Sequence, residues 1–260
     1  QTAGLAHSFM SFLSTIALAS YINGTSNVTF PVSLDHGVDI SELHSMFSGQ
    51  LFNPKYPPGL CTSSIHIDDC SGIMDATISA RSLCEKGPVC IYINQHIRPA
   101  ELLVDITLIR SQFTIPDRLK IETSKVGVYD PRYITIAVHL RRGDIVNNLS
   151  RQSRWTYNKA YMPLISEVVK RIKSNLPIMI VVYAEGADSS DKIPDVQGHR
   201  YDNFSGLADR VEVGPEQAHL ALAGMCQSDI LITSMSGFSH LACMLCPKPR
   251  ILATPFWHSY

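Results

Sequence analysis

Two short polar stretches, each directly after an apolar run, carry the residue types best suited to chemistry. The first reads HLRRGD at 139–144 and follows ITIAV; the second reads SMSGFS at 234–239 and follows ILIT. A guanidinium binds two phosphate oxygens with charge-assisted hydrogen bonds, and its charge does not titrate away. A hydroxyl-rich turn at a helix start adds free N–H groups and the positive end of the helix dipole. Together they predict a pyrophosphate clamp that needs no metal.

The elements that must position these stretches alternate along the C-terminal half. The pattern predicts strands at 133–140, 177–184, either 199–202 or 210–213, 229–233 and 250–253, and helices at 157–174, 215–227 and 237–246. Such alternation favours a parallel, doubly wound sheet covered by helices on both faces. Ligands of these sheets bind outside the carboxyl ends of the strands, which is where both polar stretches fall.

The N-terminal half gives a weaker pattern. Helices are predicted at 4–22, 39–47 and 100–112 and strands at 28–31 and 89–94, while 113–132 has the composition of a connection. The chain of 260 residues is long enough for two domains of about 130 residues. The first residues lack the positive start of a secretory signal, so we expect a helix within the fold and an upstream segment that has been removed.

Composition limits the partners. Lys and Arg number 22 against 23 Asp and Glu, so we expect no nucleic acid, and no apolar run is long enough to imply membrane contact. Four glycosylation sequons, at Asn23, Asn27, Asn148 and Asn203, favour the secretory pathway. Four clustered cysteines in 61–90 could form two disulfides or stay reduced, and the reduced alternative leaves a cytoplasmic location open. Cys243 and Cys246, near the C-terminus, are predicted to be core residues.

The HLRRGD element after an apolar strand, followed about ninety residues later by DILITSMSGFS at 229–239, resembles the α1,2-, α1,6- and protein O-fucosyltransferase superfamily. The loop GLAH at 4–7 is similar to the family's early glycine-containing loop. The resemblance implies an α/β fold of GT-B type, with two Rossmann-like domains facing a cleft. Residues 1–127 would form the acceptor-side domain, and residues 128–260 would bind the nucleotide sugar.

The same resemblance implies an inverting, metal-independent transfer of a sugar, fucose from GDP-fucose above all, to a hydroxyl of a glycan or glycoprotein in the Golgi or secretory-pathway lumen. It requires no cofactor besides the donor substrate. Arg141 would hold the β-phosphate and stabilise the leaving nucleotide, with His139 against the nucleotide and Arg142 bracing the loop. The donor-binding set implied by the turn is Ser234, Ser236, Gly237, Phe238 and Ser239. From the residues themselves, Glu185 at another strand end could face the ribose or the sugar.

Several alternatives stay open. The run 145–151 contains no carboxylate, so Asp144 or His7 is the candidate catalytic base. No acidic residue lies in 218–228, so Asp209, Glu212 or Glu216 could read the nucleobase instead, or the base and the sugar could differ. The donor could instead carry xylose or rhamnose, and the chain could be a noncatalytic carbohydrate- or nucleotide-binding module.

Overall fold

The structure is a computed structural model. It describes residues 113–142, 158–184 and 204–252, the strands 63–67 and 89–93, and residues 42, 45–46, 78–79, 82–83, 85–86 and 110–111. The predicted elements at 4–22 and 28–31 lie outside the described residues, and those at 39–47 and 100–112 do so for the most part. The chain divides into two compact units, residues 1–114 and 115–260.

Two parallel strands are described in the first unit. Strand β1, Ser63–Ile67, pairs with β2, Val89–Ile93, so that Ser63 lies opposite Val89. Strand β2 confirms the strand predicted at 89–94, whereas β1 was not predicted. Parallel neighbours cannot be joined by a tight turn, and such strand pairs are typical of an α/β fold.

The second unit alternates helices and strands. In chain order they are α1 (Asp117–Lys125), β3 (Ile134–His139), α2 (Asn158–Arg171), β4 (Ile178–Tyr183), β5 (Arg210–Val213), α3 (Ala218–Gln227), β6 (Ile230–Thr233), α4 (Gly237–Leu245) and β7 (Arg250–Leu252). These elements confirm the alternation predicted after residue 133, with a strand at 210–213, while the alternative position at 199–202 lies outside the described residues. No helix in the described part of the chain is long and apolar enough to span a bilayer.

The five strands of the second unit form one parallel sheet in the order β5-β4-β3-β6-β7. The central strands are rich in β-branched residues, as in ITIAVH of β3 and IMIVVY of β4, and five of the six residues in each are buried. Continuous burial of this kind is expected where helices cover both faces of a parallel sheet. The predicted sheet is therefore confirmed.

One face of the sheet packs on α2. Ile136 and Val138 of β3 and Val182 of β4 are fully buried there with Tyr161 and Ile165 of α2. Alternate residues point to the other face because successive side chains of a strand alternate. That face carries α3, where Gly224 lies against the ring of Tyr183.

Helix α1 corrects the prediction that 113–132 is a connection. It packs on α3, and Gln227 Nε2 donates a hydrogen bond to Thr123 Oγ1 at 2.9 Å. Only Leu119 and Thr123 of the helix are buried, so its sequence, DRLKIETSK, lacks the apolar stripe that identifies a helix. Helix α1 belongs to the second compact unit, which begins at Ile115, while the predicted domains, 1–127 and 128–260, stay a prediction.

The sequence nevertheless contains a signal for the end of α1. Gly127 has φ +79°, and its N–H donates to Ser124 O while Val128 N donates to Thr123 O, both at 3.1 Å. These two bonds form a Schellman motif, in which glycine adopts the left-handed conformation at low cost. With Pro116 before the helix and Lys125 in its last turn, Gly127 is the signal that could have identified α1.

A test of the packing on the α3 face uses Gly224. A Cβ built at this position would lie 2.3 Å from the phenol oxygen of Tyr183, which is buried and has no hydrogen-bond partner among the described residues. We expect Gly224→Ala to lower the free energy of unfolding by about 1–3 kcal/mol, because the overlap outweighs the gain in helix propensity. Urea unfolding at equilibrium measures the change.

Two further variants complete this test. Tyr183→Phe removes the clashing oxygen, so the double variant should recover part of the loss. Gly206→Ala is the matched control, since a Cβ there meets nothing within 4 Å. Equal stabilities of the Gly224→Ala and Gly206→Ala variants would contradict the packing described.

Candidate functional site

The order of the strands creates a crevice between β3 and β6. From the central β3 the chain adds β4 and β5 on one side, then returns to place β6 and β7 on the other side. In an open α/β sheet, ligands bind at such a switch point, outside the carboxyl ends of the two strands that flank it. Strand β3 ends at His139 and β6 ends at Thr233, so HLRRGD and SMSGFS begin on either side of this crevice.

A first hydrogen bond across the crevice joins His139 to Ser234. His139 Nδ1 lies 2.7 Å from Ser234 Oγ, and both side chains are buried. The imidazole also contacts the ring of Phe238, with centroids 5.9 Å apart and planes tilted by 57°. The predicted histidine, serine and phenylalanine are therefore brought together by the pairing of two strands that lie ninety residues apart in the chain.

The environment of His139 keeps its imidazole neutral. Burial, followed by the charges of Arg141 and Arg142, lowers the pKa of His139 from 6.5 to about 3. A neutral imidazole has one ring nitrogen that donates and one that accepts, and the hydrogen bond to Ser234 is compatible with either tautomer. At neutral pH His139 thus contributes a polar contact to the site and no charge.

A second hydrogen bond joins Arg141 to the start of α4. Arg141 Nη1 donates to Ser236 Oγ at 3.3 Å, and the same oxygen accepts the Phe238 N–H at 3.3 Å as the N-cap of the helix. Arg141 is half-buried, whereas Ser236 is buried. A guanidinium and the positive end of a helix dipole therefore converge, an arrangement that favours a bound anion.

Arg142 is buried, in contrast to the half-buried Arg141. Its side chain is only 6% exposed, and its Nη1 donates to the carbonyl oxygen of Arg141 at 2.7 Å. This contact holds the main chain from which the Arg141 side chain extends. The adjacent arginines thus differ in surroundings, since one is partly accessible and the other is buried against the backbone.

The turn between β6 and α4 contains the remaining predicted residues of the site. Gly237 and Phe238, the first two residues of α4, are half-buried. Ser239 is fully buried, and its hydroxyl contacts Ser234 N, Ser234 O and Ser236 O, each at 3.3 Å. Its polar contacts in the structure are thus to the turn itself.

Three predicted site residues, His7, Asp144 and Glu185, lie outside the described residues, so their roles stay predictions. No group of three or more His, Cys, Asp or Glu suited to a metal ion occurs among the residues that the structure describes. Cys246, predicted as a core residue, is buried, whereas Cys243 is half-buried, and neither forms a disulfide.

The acidic residues considered for reading a nucleobase occupy different places. Asp209 precedes β5, and its carboxylate accepts the Ile178 N–H at 2.8 Å, so it lies at the amino ends of the strands, on the wrong edge of the sheet. Glu212 forms an ion pair with Arg210 at 2.6 Å. Glu216 is exposed in the loop that follows β5 at the carboxyl edge.

Asp229 repeats the arrangement of Asp209 and shows what sequence reasoning missed. Its carboxylate accepts the Thr135 N–H at 3.0 Å, and its own N–H donates to Thr135 O at 2.9 Å. Each aspartate directly precedes one strand, and its carboxylate accepts a backbone N–H at the amino end of the neighbouring strand. An Asp directly before a strand of the sheet is the signal for this structural role.

Comparison with solved structures identifies the fold. POFUT1 in complex with GDP-fucose superposes with a TM-score of 0.60 at 13% identity, over 96% of this chain and 95% of that one. POFUT1 in complex with GDP gives 0.59 at 13% identity, over 96% and 95%. A mutant of Arabidopsis thaliana FUT1 in complex with GDP gives 0.52 at 11% identity, over 96% and 68%.

These structures and the parallel sheet with its helices show that the chain has a GT-B-like α/β fold, shared with fucosyltransferases. No family model and no curated protein sequence matches the chain. The predicted fold class is confirmed to this extent, while the arrangement of two domains about a cleft stays a prediction.

The low pKa of His139 predicts a specific dependence of stability on pH. The unfolded imidazole takes up a proton below its ordinary pKa of 6.5, whereas the folded one stays neutral down to about 3. The contribution of neutral His139 to stability is therefore complete above pH 6.5 and falls by up to about 1.4 kcal/mol per pH unit below it. Urea unfolding between pH 7 and pH 4 measures this decrease.

The control for this prediction is His139→Asn, which offers Ser234 an amide and does not titrate. The difference in unfolding free energy between wild type and variant should shrink as the pH falls. Parallel profiles with a constant difference would show that His139 titrates alike in both states.

Proposed function

We propose that the chain binds a nucleoside diphosphate sugar, GDP-fucose above all, at the β3–β6 crevice and transfers the sugar to a glycan hydroxyl. The observation that carries the proposal is the convergence of the Arg141 guanidinium and the Ser236-capped start of α4 at the switch point of a parallel sheet. Both provide positive potential for a pyrophosphate. Ser236 Oγ joins them, because it accepts hydrogen bonds from Arg141 Nη1 and from the Phe238 N–H.

The proposed chemistry is a displacement at the anomeric carbon. The acceptor hydroxyl attacks that carbon from the side opposite the nucleotide, the bond to the β-phosphate oxygen breaks, and the configuration inverts. Negative charge develops on the departing oxygen, where a preorganised guanidinium is most effective in the transition state. Arg141 would carry this role, with Gly237 N–H and the hydroxyls of Ser234 and Ser236 around the phosphates.

The acceptor hydroxyl must lose its proton during the attack. Asp144 and His7 remain the candidate bases, because a carboxylate or an imidazole can accept that proton. His139 is a poor candidate: its Nδ1 is engaged with Ser234 and its pKa is lowered to about 3. The proposal therefore assigns His139 to the donor side of the site and leaves the acceptor side to the other residues.

The choice of a guanine nucleotide rests on the neighbours of the fold. The POFUT1 structures contain GDP-fucose or GDP, and the FUT1 structure contains GDP. Of the acidic residues proposed to read the base, Asp209 lies at the amino edge of the sheet and Glu212 pairs with Arg210. Glu216, which is exposed in the loop at the carboxyl edge, is therefore the candidate that we propose. Glu185 would face the ribose or the sugar. We propose a glycoprotein or glycan acceptor in the secretory-pathway lumen, in keeping with the four sequons.

Thermal denaturation with nucleotides tests the donor site. GDP should raise the melting temperature of the wild type, because a ligand that binds only the folded state stabilises it. Arg141→Ala should weaken GDP binding about 10- to 100-fold, since a charged hydrogen bond contributes about 1.5–3 kcal/mol, and should abolish transfer. Arg132→Ala is the matched control: this exposed arginine pairs with Asp130 before β3, at the opposite end of the strand.

The outcomes of this titration separate the alternatives. Stabilisation by UDP or another nucleotide, and not by GDP, would indicate a different donor sugar such as xylose or rhamnose. Binding of GDP without transfer from any GDP-sugar would indicate a noncatalytic module. Failure of every nucleotide diphosphate to stabilise the wild type at millimolar concentration would refute the pyrophosphate site.

A chelator tests the metal-independent part of the proposal. Arg141 and the start of α4 supply positive charge where a divalent ion would otherwise neutralise the leaving diphosphate. We therefore expect transfer activity to stay within about twofold after treatment with EDTA. Removal of a Lewis-acid metal would cost several kcal/mol of transition-state stabilisation and would reduce the activity far more than twofold. Activity that disappears with EDTA and returns with Mn²⁺ would contradict this expectation.

A further inference from the structure

Two hydrogen bonds tie the end of β3 to the turn that follows β6. One joins His139 to Ser234 at 2.7 Å, and the other joins Arg141 to Ser236 at 3.3 Å. Both bonds depend on the conformation of a turn only three residues long, because Ser236 already caps α4. Whatever fixes the spacing between Ser234 and Ser236 therefore also fixes the side chains on β3.

Ser239 contacts this turn at three backbone atoms. Its hydroxyl oxygen accepts the Ser234 N–H at 3.3 Å, and its single proton can go to Ser234 O or to Ser236 O, each also at 3.3 Å. Ser236 N donates to Ser234 O at 2.8 Å within the same turn. Because Ser239 belongs to the first turn of α4, its hydroxyl anchors residues 234 and 236 to the helix from beneath.

We propose that Ser239 is a positioning residue for the nucleotide site. It holds Ser234 against His139 and Ser236 against Arg141, and it does not contact the nucleotide itself. Its full burial and its contacts, all to the backbone of the turn, distinguish it from Gly237 and Phe238, which are half-buried at the crevice. This inference rests on the proposed function for its effect on affinity, and on geometry alone for its effect on His139.

The test compares two buried serines that contact backbone carbonyls. Ser239→Ala removes the hydroxyl beneath the turn. Ser228→Ala is the matched control, because Ser228 is also fully buried and donates to Met225 O at 2.6 Å, but lies before β6 at the amino edge of the sheet. Circular dichroism and urea unfolding establish that both variants are folded and how far each is destabilised.

Two readouts then distinguish positioning from general stability. The first is the ¹⁵N chemical shift of His139 Nδ1 in histidine-labelled protein, assigned by the signal lost in His139→Asn. The second is the dissociation constant for GDP. Ser239→Ala should move the His139 signal and weaken GDP binding about tenfold, as expected for one disturbed hydrogen-bonded contact. Ser228→Ala should change neither.

The possible results are decisive for each proposal separately. An unchanged His139 signal in folded Ser239→Ala, or an equal change in Ser228→Ala, would refute the positioning role. If the wild type fails to bind GDP, the proposed function fails, while the His139 signal still decides the role of Ser239. If Ser239→Ala does not fold, Ser239→Cys replaces it, since a thiol fills nearly the same volume and is a weak hydrogen-bond partner; the same two readouts apply.

Discussion

Backbone pairing between β3 and β6 is the constraint on which the candidate site depends. The register sets Ile136 opposite Ile230 and Val138 opposite Ile232, so the two strands end side by side. His139 then reaches Ser234, and Arg141 reaches Ser236. Asp229 reinforces the pairing at the other edge, where its carboxylate accepts the Thr135 N–H. A shift of register by one residue would turn His139 to the opposite face of the sheet and break its hydrogen bond to Ser234.

The electrostatics of the crevice are those of an anion site. The Arg141 guanidinium meets the amino end of α4, with buried Arg142 next to it in the chain, while the carboxylates of Asp209 and Asp229 accept backbone N–H groups at the amino edge. Burying Arg142 is costly unless its donors are satisfied, and the carbonyl of Arg141 satisfies one of them. Burial, together with the same positive surroundings, lowers the pKa of His139, so the histidine adds no further charge. The crevice thus concentrates fixed positive potential where a diphosphate would place its oxygens.

Much of this arrangement could be predicted because its signals are local. Buried parallel strands appear as β-branched runs, and the residues that follow them are placed by chain direction alone. Helix α1 escaped prediction because it buries only Leu119 and Thr123, and the stripe of apolar residues that identifies a helix is absent. Strand β1, SSIHI, is similarly short and mixed. The place of Asp209 was also missed, since the function of a carboxylate depends on which edge of the sheet it occupies and not on its distance along the chain.

The sequence by itself determined the alternation of strands and helices in the second unit, the positions at which His139, Arg141, Ser234 and Ser236 leave their strands, and the resemblance that suggested a nucleotide sugar. Tertiary structure alone decided which strands are neighbours, because pairing joins residues about ninety positions apart. It also distinguished the half-buried Arg141 from the buried Arg142, and the half-buried Gly237 and Phe238 from the fully buried Ser239. Burial and partnership are properties of packed elements, so adjacent residues of one type can receive different roles only once the sheet has formed.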